Sequence, residues 1–222
     1  MRMLIVSDIH GNVKYLEKIL EKENHDLLIV AGDMTSYSGR YKDIISRLIK
    51  HTAKGIPVIA VPGNADPKEI MKFPSKDLRI IHKDVCEVND VVFLGIGGGT
   101  GFWFWEYPRF TDEHLGEILA EIENKYDITS FNDRLIIVSH TPPYGTSVDI
   151  LYSGEHVGSK FLREFIIRHS PIAVICGHVH ESRGSDNLGD TLIINPGPAM
   201  AGYFAVLEVE NGKTKYFSLL KC

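Results

Sequence analysis

Cysteine is scarce in this sequence. Cys86, Cys176 and Cys222 are an odd number at unrelated spacings, which fits a reducing compartment better than a disulfide framework. Long apolar runs are also missing: none approaches the roughly 20 residues that cross a bilayer. Met1-Arg2 leads straight into a short apolar run without a signal-peptide layout, so the expected location is cytoplasmic, with no membrane partner. Basic charge is not in excess either. Lys plus Arg number 24 against 29 Asp plus Glu, a net charge of -5, which argues against nucleic acid as a partner and requires any anionic ligand to be drawn by a local positive site.

What remains is the make-up of a globular protein. Hydrophobic residues are 44% and charged residues 24%, too apolar for a disordered chain and too mixed for a fibrous one. No internal repeat or low-complexity linker divides the chain, and one domain over residues 1–222 is expected.

Short runs rich in Ile, Val and Leu recur at Met3–Val6, Leu27–Val30, Pro57–Val61, Val91–Leu94, Leu135–Val138, Ile172–Ile175 and Leu192–Ile194. They lack the alternation of half-exposed strands and read as buried central ones. Between several of them lie helical spacings: Val13, Leu16, Ile19 and Leu20; Ile44, Ile45, Leu48 and Ile49; Leu115, Ile118, Leu119 and Ile122; Phe161, Leu162, Phe165 and Ile166. Alternating strand and helix implies an α/β layer fold. Toward the C-terminus, Leu192–Ile194, Ala205–Val209 and Lys215–Leu219 follow one another with only turns between, and Asn211-Gly212 signals a hairpin. A second, antiparallel sheet region is expected there.

Five of the apolar runs end in residues that bind metals or protons: Asp8-Ile9-His10, Gly32-Asp33, Gly63-Asn64, Ser139-His140 and Gly177-His178-Val179-His180. In an open α/β sheet the C-terminal strand ends share one edge, so these groups can converge in one crevice. Singly, an Asp before a helix reads as a cap, Gly-Asn as a turn and a lone His as a hydrogen-bonded structural residue. Jointly, Asp8, His10, Asp33, Asn64, His140, His178 and His180 form a set of oxygen and imidazole donors without a thiol. Such a set suits Mn, Fe, Zn or Co in a hydrolytic centre better than a structural zinc.

The ordered pattern Asp8-x-His10, Gly32-Asp33, Gly63-Asn64-x-Asp66, His140 and Gly177-His178-x-His180 resembles the calcineurin-like metallophosphoesterases. The detail around His140-Thr141-Pro142-Pro143-Tyr144 and the closing Asn195-Pro196-Gly197 looks like the small stand-alone prokaryotic members. The resemblance implies a four-layer α/β/β/α sandwich with two mixed β-sheets flanked by helices. It also implies two metal ions, Mn2+ first, with Fe, Zn, Co and Ni as alternatives. Asp8, His10 and His180 would hold one metal and Asn64, His140 and His178 the other, with Asp33 bridging. Two divalent cations outweigh two carboxylates and a hydroxide, so the centre would be a positive attractor on an acidic protein. The expected reaction is hydrolysis of a phosphodiester or small phosphate ester by a metal-bridging hydroxide, with Asn64 also near the phosphate.

The fourth block departs from the family. There it usually reads Gly-Asn-His-Asp, and here Ala65 replaces the histidine, so Asp66 loses the partner it would orient. His156, in Ser-Gly-Glu-His-Val-Gly, is the candidate substitute in proton transfer, or else a helix-entry residue. Asp66 is a second catalytic candidate, or else a cap for a helix beginning near Pro67.

The segment Gly97-Gly98-Gly99-Thr100-Gly101-Phe102-Trp103-Phe104-Trp105-Glu106-Tyr107 lets backbone approach a ligand and lets aromatics stack on one. It also fits a lid, a core edge or, through residues 102–107, a homo-oligomer interface. The competing functional class is a metal-binding, catalytically weak protein-interaction module on the same fold, which the loss at Ala65 keeps open.

Overall fold

The computed structural model describes residues 1–37, 41–73, 76–105, 107–131 and 133–222. Its strands are β1 (Arg2–Val6), β2 (Leu27–Ala31), β3 (Val58–Val61), β4 (Leu78–Ile80), β5 (Asp84–Val88), β6 (Val91–Ile96), β7 (Leu135–Ser139), β8 (Ala173–Ile175), β9 (Gly184–Leu188), β10 (Thr191–Asn195), β11 (Tyr203–Glu210) and β12 (Lys213–Lys221). The α-helices are α1 (Val13–Leu20), α2 (Tyr41–Thr52), α3 (Asp112–Lys125) and α4 (Lys160–His169). None is long and apolar enough to cross a membrane.

Two six-stranded mixed sheets form, in the orders β12-β11-β1-β2-β3-β4 and β5-β6-β7-β8-β10-β9. Each has a parallel centre and antiparallel pairing toward an edge. The apolar runs do not alternate because both faces of their strands are covered. On β1, Met3 and Ile5 meet Phe93, Ile136 and Val138 of the opposite sheet. Leu4 and Val6 point the other way, onto Leu16 and Ile19 of α1 and Ile44 and Leu48 of α2. On β7, Leu135 and Ile137 pack under Leu115 and Ile118 of α3 and Leu162 and Phe165 of α4. Helix, sheet, sheet and helix therefore lie in four layers.

The three C-terminal strands do not make a separate sheet. β10 inserts between β8 and β9 in the second sheet, whereas β11 and β12 extend the first beside β1. The reason is the crossing segment between β10 and β11: the Ala199 and Met200 amides bond the Ser7 and Asp8 carbonyls at 2.8 and 3.1 Å, carrying the chain from one sheet to the other. The hairpin at Asn211-Gly212 does form, with φ of 52° and 72° as tight two-residue turns require.

Candidate metal centre

Asp8 follows β1, Asp33 follows β2 and Asn64 follows β3 on the first sheet; His140 follows β7 and His178 and His180 follow β8 on the second. Both sheets thus deliver donors to one shared edge. The loops are laced together beyond the strands: the Asp8 amide bonds Gly32 O at 3.0 Å, and the His10 and Gly11 amides bond Asp33 O and Met34 O at 2.9 Å each. Asp8, His10, Asp33 and His178 all have left-handed φ, between 45° and 69°. Such backbone is costly outside glycine and clusters where side-chain direction matters more than local comfort.

Asp8, His10, Asp33, His140 and His180 converge. His180 Nε2 lies 3.2 Å from Asp8 Oδ1 and 3.3 Å from His10 Nε2. Asp33 reaches one histidine on each side, His10 Nε2 at 3.6 Å from Oδ2 and His140 Nε2 at 3.5 Å from Oδ1. The ring of His178 stands 5.1 Å from that of His140. Ligand atoms of Asp8, His10 and His180, and of Asp8, Asp33 and His140, lie within 4.8 Å of one another.

Neighbouring carbonyls select the tautomers. His140 Nδ1 is 2.8 Å from Ala31 O and donates to it, so Nε2 is the atom turned toward Asp33 and the cage. His178 Nε2 donates to Thr100 O at 3.2 Å, which leaves Nδ1 as its donor atom. The buried atoms His140 Nε2 and Asn64 Oδ1 have no hydrogen-bond partner. Buried polar atoms left without a partner are costly, and these two belong to the donor set, which therefore fits cations.

Electrostatics agree. Burial disfavours a charged Asp33, but the nearby charge of His140 and the hydrogen bond from the Ala65 amide outweigh it and hold the carboxyl at about 2. Burial likewise opposes charge on His140, and Asp33 overrides it, raising the imidazole to about 9. Burial and His140 together push His178 down to about 4, so its ring is neutral. A cation would take over from the proton that His140 shares with Asp33.

Two other sequence candidates lie apart from the cage. Asp66 is buried with its carboxylate turned to backbone: Oδ1 accepts from the Thr35 amide at 2.8 Å, and Oδ2 from Met34 and Gly63 at 3.1 and 2.9 Å. It clamps the Asp33 loop to the Asn64 loop. The expected helix cap is not formed, because the 3₁₀ turn Lys68–Lys72 starts at Pro67 without a side-chain cap bond. His156 Nδ1 bonds the fully buried Asp149 at 2.7 Å, and its ring lies beside that of Tyr144. Its route to the cage is indirect: Thr100 Oγ1 donates to Val157 O, and Thr100 O accepts from His178.

The aromatic run is divided in use. Phe104 is buried in the core under the second sheet, whereas Phe102 and Trp103 are about half exposed, and Phe102 stands edge-on to His178. Glu106 lies outside the described residues. Sequence reasoning missed Tyr37, whose hydroxyl accepts from Asn64 Nδ2 at 2.6 Å, and the Thr100 carbonyl. The glycine run carried part of that signal, since a Cβ on Gly99 would sit 2.1 Å from Asn64 Oδ1.

A family model described as calcineurin-like phosphoesterase matches residues 1–182. The uncharacterized protein MJ1162 of Methanocaldococcus jannaschii is 32% identical over 203 residues, covering 89% of this chain and 88% of its own. TT1561 of Thermus thermophilus superposes with a TM-score of 0.74 at 16% identity, over 99% of this chain and 98% of its own. A dimetal phosphatase from Danio rerio superposes at 0.58 with 12% identity, over 94% and 92%. These two structural likenesses concern the fold, two mixed sheets between helices.

Proposed function

Because the chain belongs to the calcineurin-like phosphoesterase family, we propose that it hydrolyses a phosphodiester or a small phosphate ester at a cage for two divalent cations centred on Asp33. The observation that carries this reading is the position of Asp33 between His10 and His140, with His140 Nε2 and Asn64 Oδ1 buried and unpartnered around it. Asp8, His10 and His180 are assigned to one cation and Asn64, His140 and His178 to the other. Such a pair of cations, Mn2+ being the first choice, supplies charge neutralisation at phosphoryl oxygens and activates water for in-line attack on phosphorus.

The chain's own part is to hold these donors. The Ala31 and Thr100 carbonyls orient the His140 and His178 rings, and the Tyr37 hydroxyl anchors the Asn64 amide. Asp66 acts as a positioning residue through its three amide bonds. Ala65 brings no proton donor, and His156, oriented by Asp149, is assigned to the leaving oxygen.

The test is hydrolysis of matched mono- and diesters, including bis-aryl and cyclic nucleotide diesters, by protein reconstituted with Mn2+, Fe2+, Zn2+, Co2+ or Ni2+. Turnover with at least one metal supports the reading. Silence with all of them overturns it in favour of a metal-binding interaction module.

A further inference from the structure

Beside the cage lies a cavity of about 390 Å³ that the chemistry so far does not use, lined by Tyr37, Ala65, Asp66, Trp103 and Trp105 among others. Its volume falls in the range of small-molecule sites. Three of those residues are aromatic, and the sequence has only two tryptophans; both are here.

The walls are built differently. Trp105 is fixed: its ring stacks on Phe104 at 4.3 Å, and its Nε1 donates to Asp66 O at 3.2 Å. Tyr37 and Trp103 are 64% and 49% exposed, so their rings have accessible surface for a ligand. Tyr37 is nevertheless tied to the site at both ends, its amide bonding Ala65 O at 3.1 Å and its hydroxyl accepting from Asn64. Tyr37 and Trp105 both have left-handed φ, 49° and 46°. For bulky aromatics this is a genuine outlier, a strain that local packing has to hold.

At the floor stands Ala65, where the family's histidine would project a ring. Ala65 and Asp66, which follow Asn64 in the chain, form part of the cavity lining, and the Tyr37 wall is hydrogen-bonded to Asn64 itself, so the aromatic-walled cavity adjoins the Asn64 side of the cage.

Resting on the phosphoesterase reading, we infer that this cavity is the subsite for a planar aromatic group carried by the ester, a nucleobase or an aryl ring, stacked against Trp103 and Tyr37 while the phosphate lies at the Asn64 side. Stacking on aromatic side chains is tolerant of ring identity because every base or aryl ring has a π-face. The protein's acidity does not oppose it, since the recognised group is uncharged.

Both tryptophans report directly. Tryptophan emission of the full-length, Mn2+-loaded protein is titrated with adenosine 5′-monophosphate against ribose 5-phosphate, and with phenylphosphonate against methylphosphonate. Saturable quenching by the aromatic member of either pair and not by its non-aromatic partner is expected. Trp103→Ala, with Trp105 remaining as reporter, should weaken the aromatic ligand about tenfold. It should also lower by a similar factor the ratio of kcat/KM for aryl over methyl phosphodiesters.

Quenching by the adenosine compound alone names a nucleotide as the source, and quenching by phenylphosphonate alone names an aryl ester; each supports the subsite. Equal responses within each pair would overturn it. So would a concentration-dependent dimer, seen by light scattering, that Trp103→Ala abolishes, because a second copy would then be the occupant. Hydrolysis without aromatic-specific quenching removes the subsite and leaves the phosphoesterase reading intact. Aromatic-specific quenching in a protein inactive with every metal does the reverse.

Discussion

The side-chain amide of Asn64 donates to the hydroxyl of Tyr37 at 2.6 Å, and this bond anchors the amide at the edge of the cage. With Nδ2 so engaged, Oδ1 is buried and unpartnered. Tyr37→Phe keeps the ring and removes the acceptor, so the amide is free to turn. Loss of such an outer partner typically weakens metal binding by about tenfold or more. Isothermal titration with Mn2+ should show that loss while thermal stability stays close to that of the parent; an unchanged affinity would mean that Asn64 is oriented by other contacts.

Asp33 stands near His10 through one oxygen and near His140 through the other. Asp33→Ala and His140→Ala are each expected to abolish hydrolysis and to lower bound metal together, measured by elemental analysis of the purified variants. Retained turnover after the metal has gone would reject the proposed chemistry.

Most of this cage is legible in the amino-acid sequence. Each of the seven donors follows a run of Ile, Val and Leu, because a strand buried on both faces writes itself as an unbroken apolar run and its end marks the shared edge. The strands that leave no trace are edge strands: β9 reads Gly184-Ser185-Asp186-Asn187-Leu188, and β5 is only partly buried. Their backbone pairs on one side only, so few apolar side chains are needed. The destination of β11 is illegible for another reason. A hairpin signal specifies its own two strands and not the sheet they join, which here is decided by amide bonds from Ala199 and Met200 to the β1 end. Tyr37 escapes notice because it lies outside every apolar run, and its role exists only through a contact with Asn64, 27 positions along the chain.

Asp66 is expected to be a stability residue first. Burial and the charge of Asp33 push its carboxyl above the ordinary range, while three amide bonds pull it the other way. Asp66→Ala strands the amides of Met34, Thr35 and Gly63 in a buried place. The expected cost is about 2–4 kcal/mol in urea unfolding, together with a rise in KM as the two loops drift apart. A variant as stable as the parent would show that water replaces the carboxylate without loss.

Acid should weaken the fold through His51, on α2. This ring is 3% exposed, stacks on His25 with Nε2 atoms 3.0 Å apart, and is held at about 4 by burial, with the His25 charge adding to the effect. A histidine depressed in the folded state is neutral there while the unfolded chain still takes up protons near 6.5, so its contribution is complete above pH 6.5 and is lost as pH falls toward 4. The loss amounts to about 2–3 kcal/mol by pH 4. His51→Gln should flatten the stability profile between pH 6.5 and pH 4 relative to the parent, followed by chemical denaturation at each pH. Parallel profiles would show that His51 does not titrate in that window.

His156 is the group to examine for proton transfer to the leaving oxygen. Its Nδ1 is committed to the buried Asp149 carboxylate, which also accepts from the amides of Gly145, Thr146 and Gly158. The imidazole is therefore oriented by a network that does not depend on the cage, and its side chain is 34% exposed. A general acid contributes roughly 10²–10⁴ in rate when the leaving group is poor and little when it departs unaided. His156→Ala should then depress kcat on methyl or alkyl esters by at least about tenfold, while p-nitrophenyl esters lose much less. His156→Gln, which keeps a hydrogen bond to Asp149, separates the two roles: if it restores alkyl-ester turnover, the residue serves loop structure and the proton comes from elsewhere.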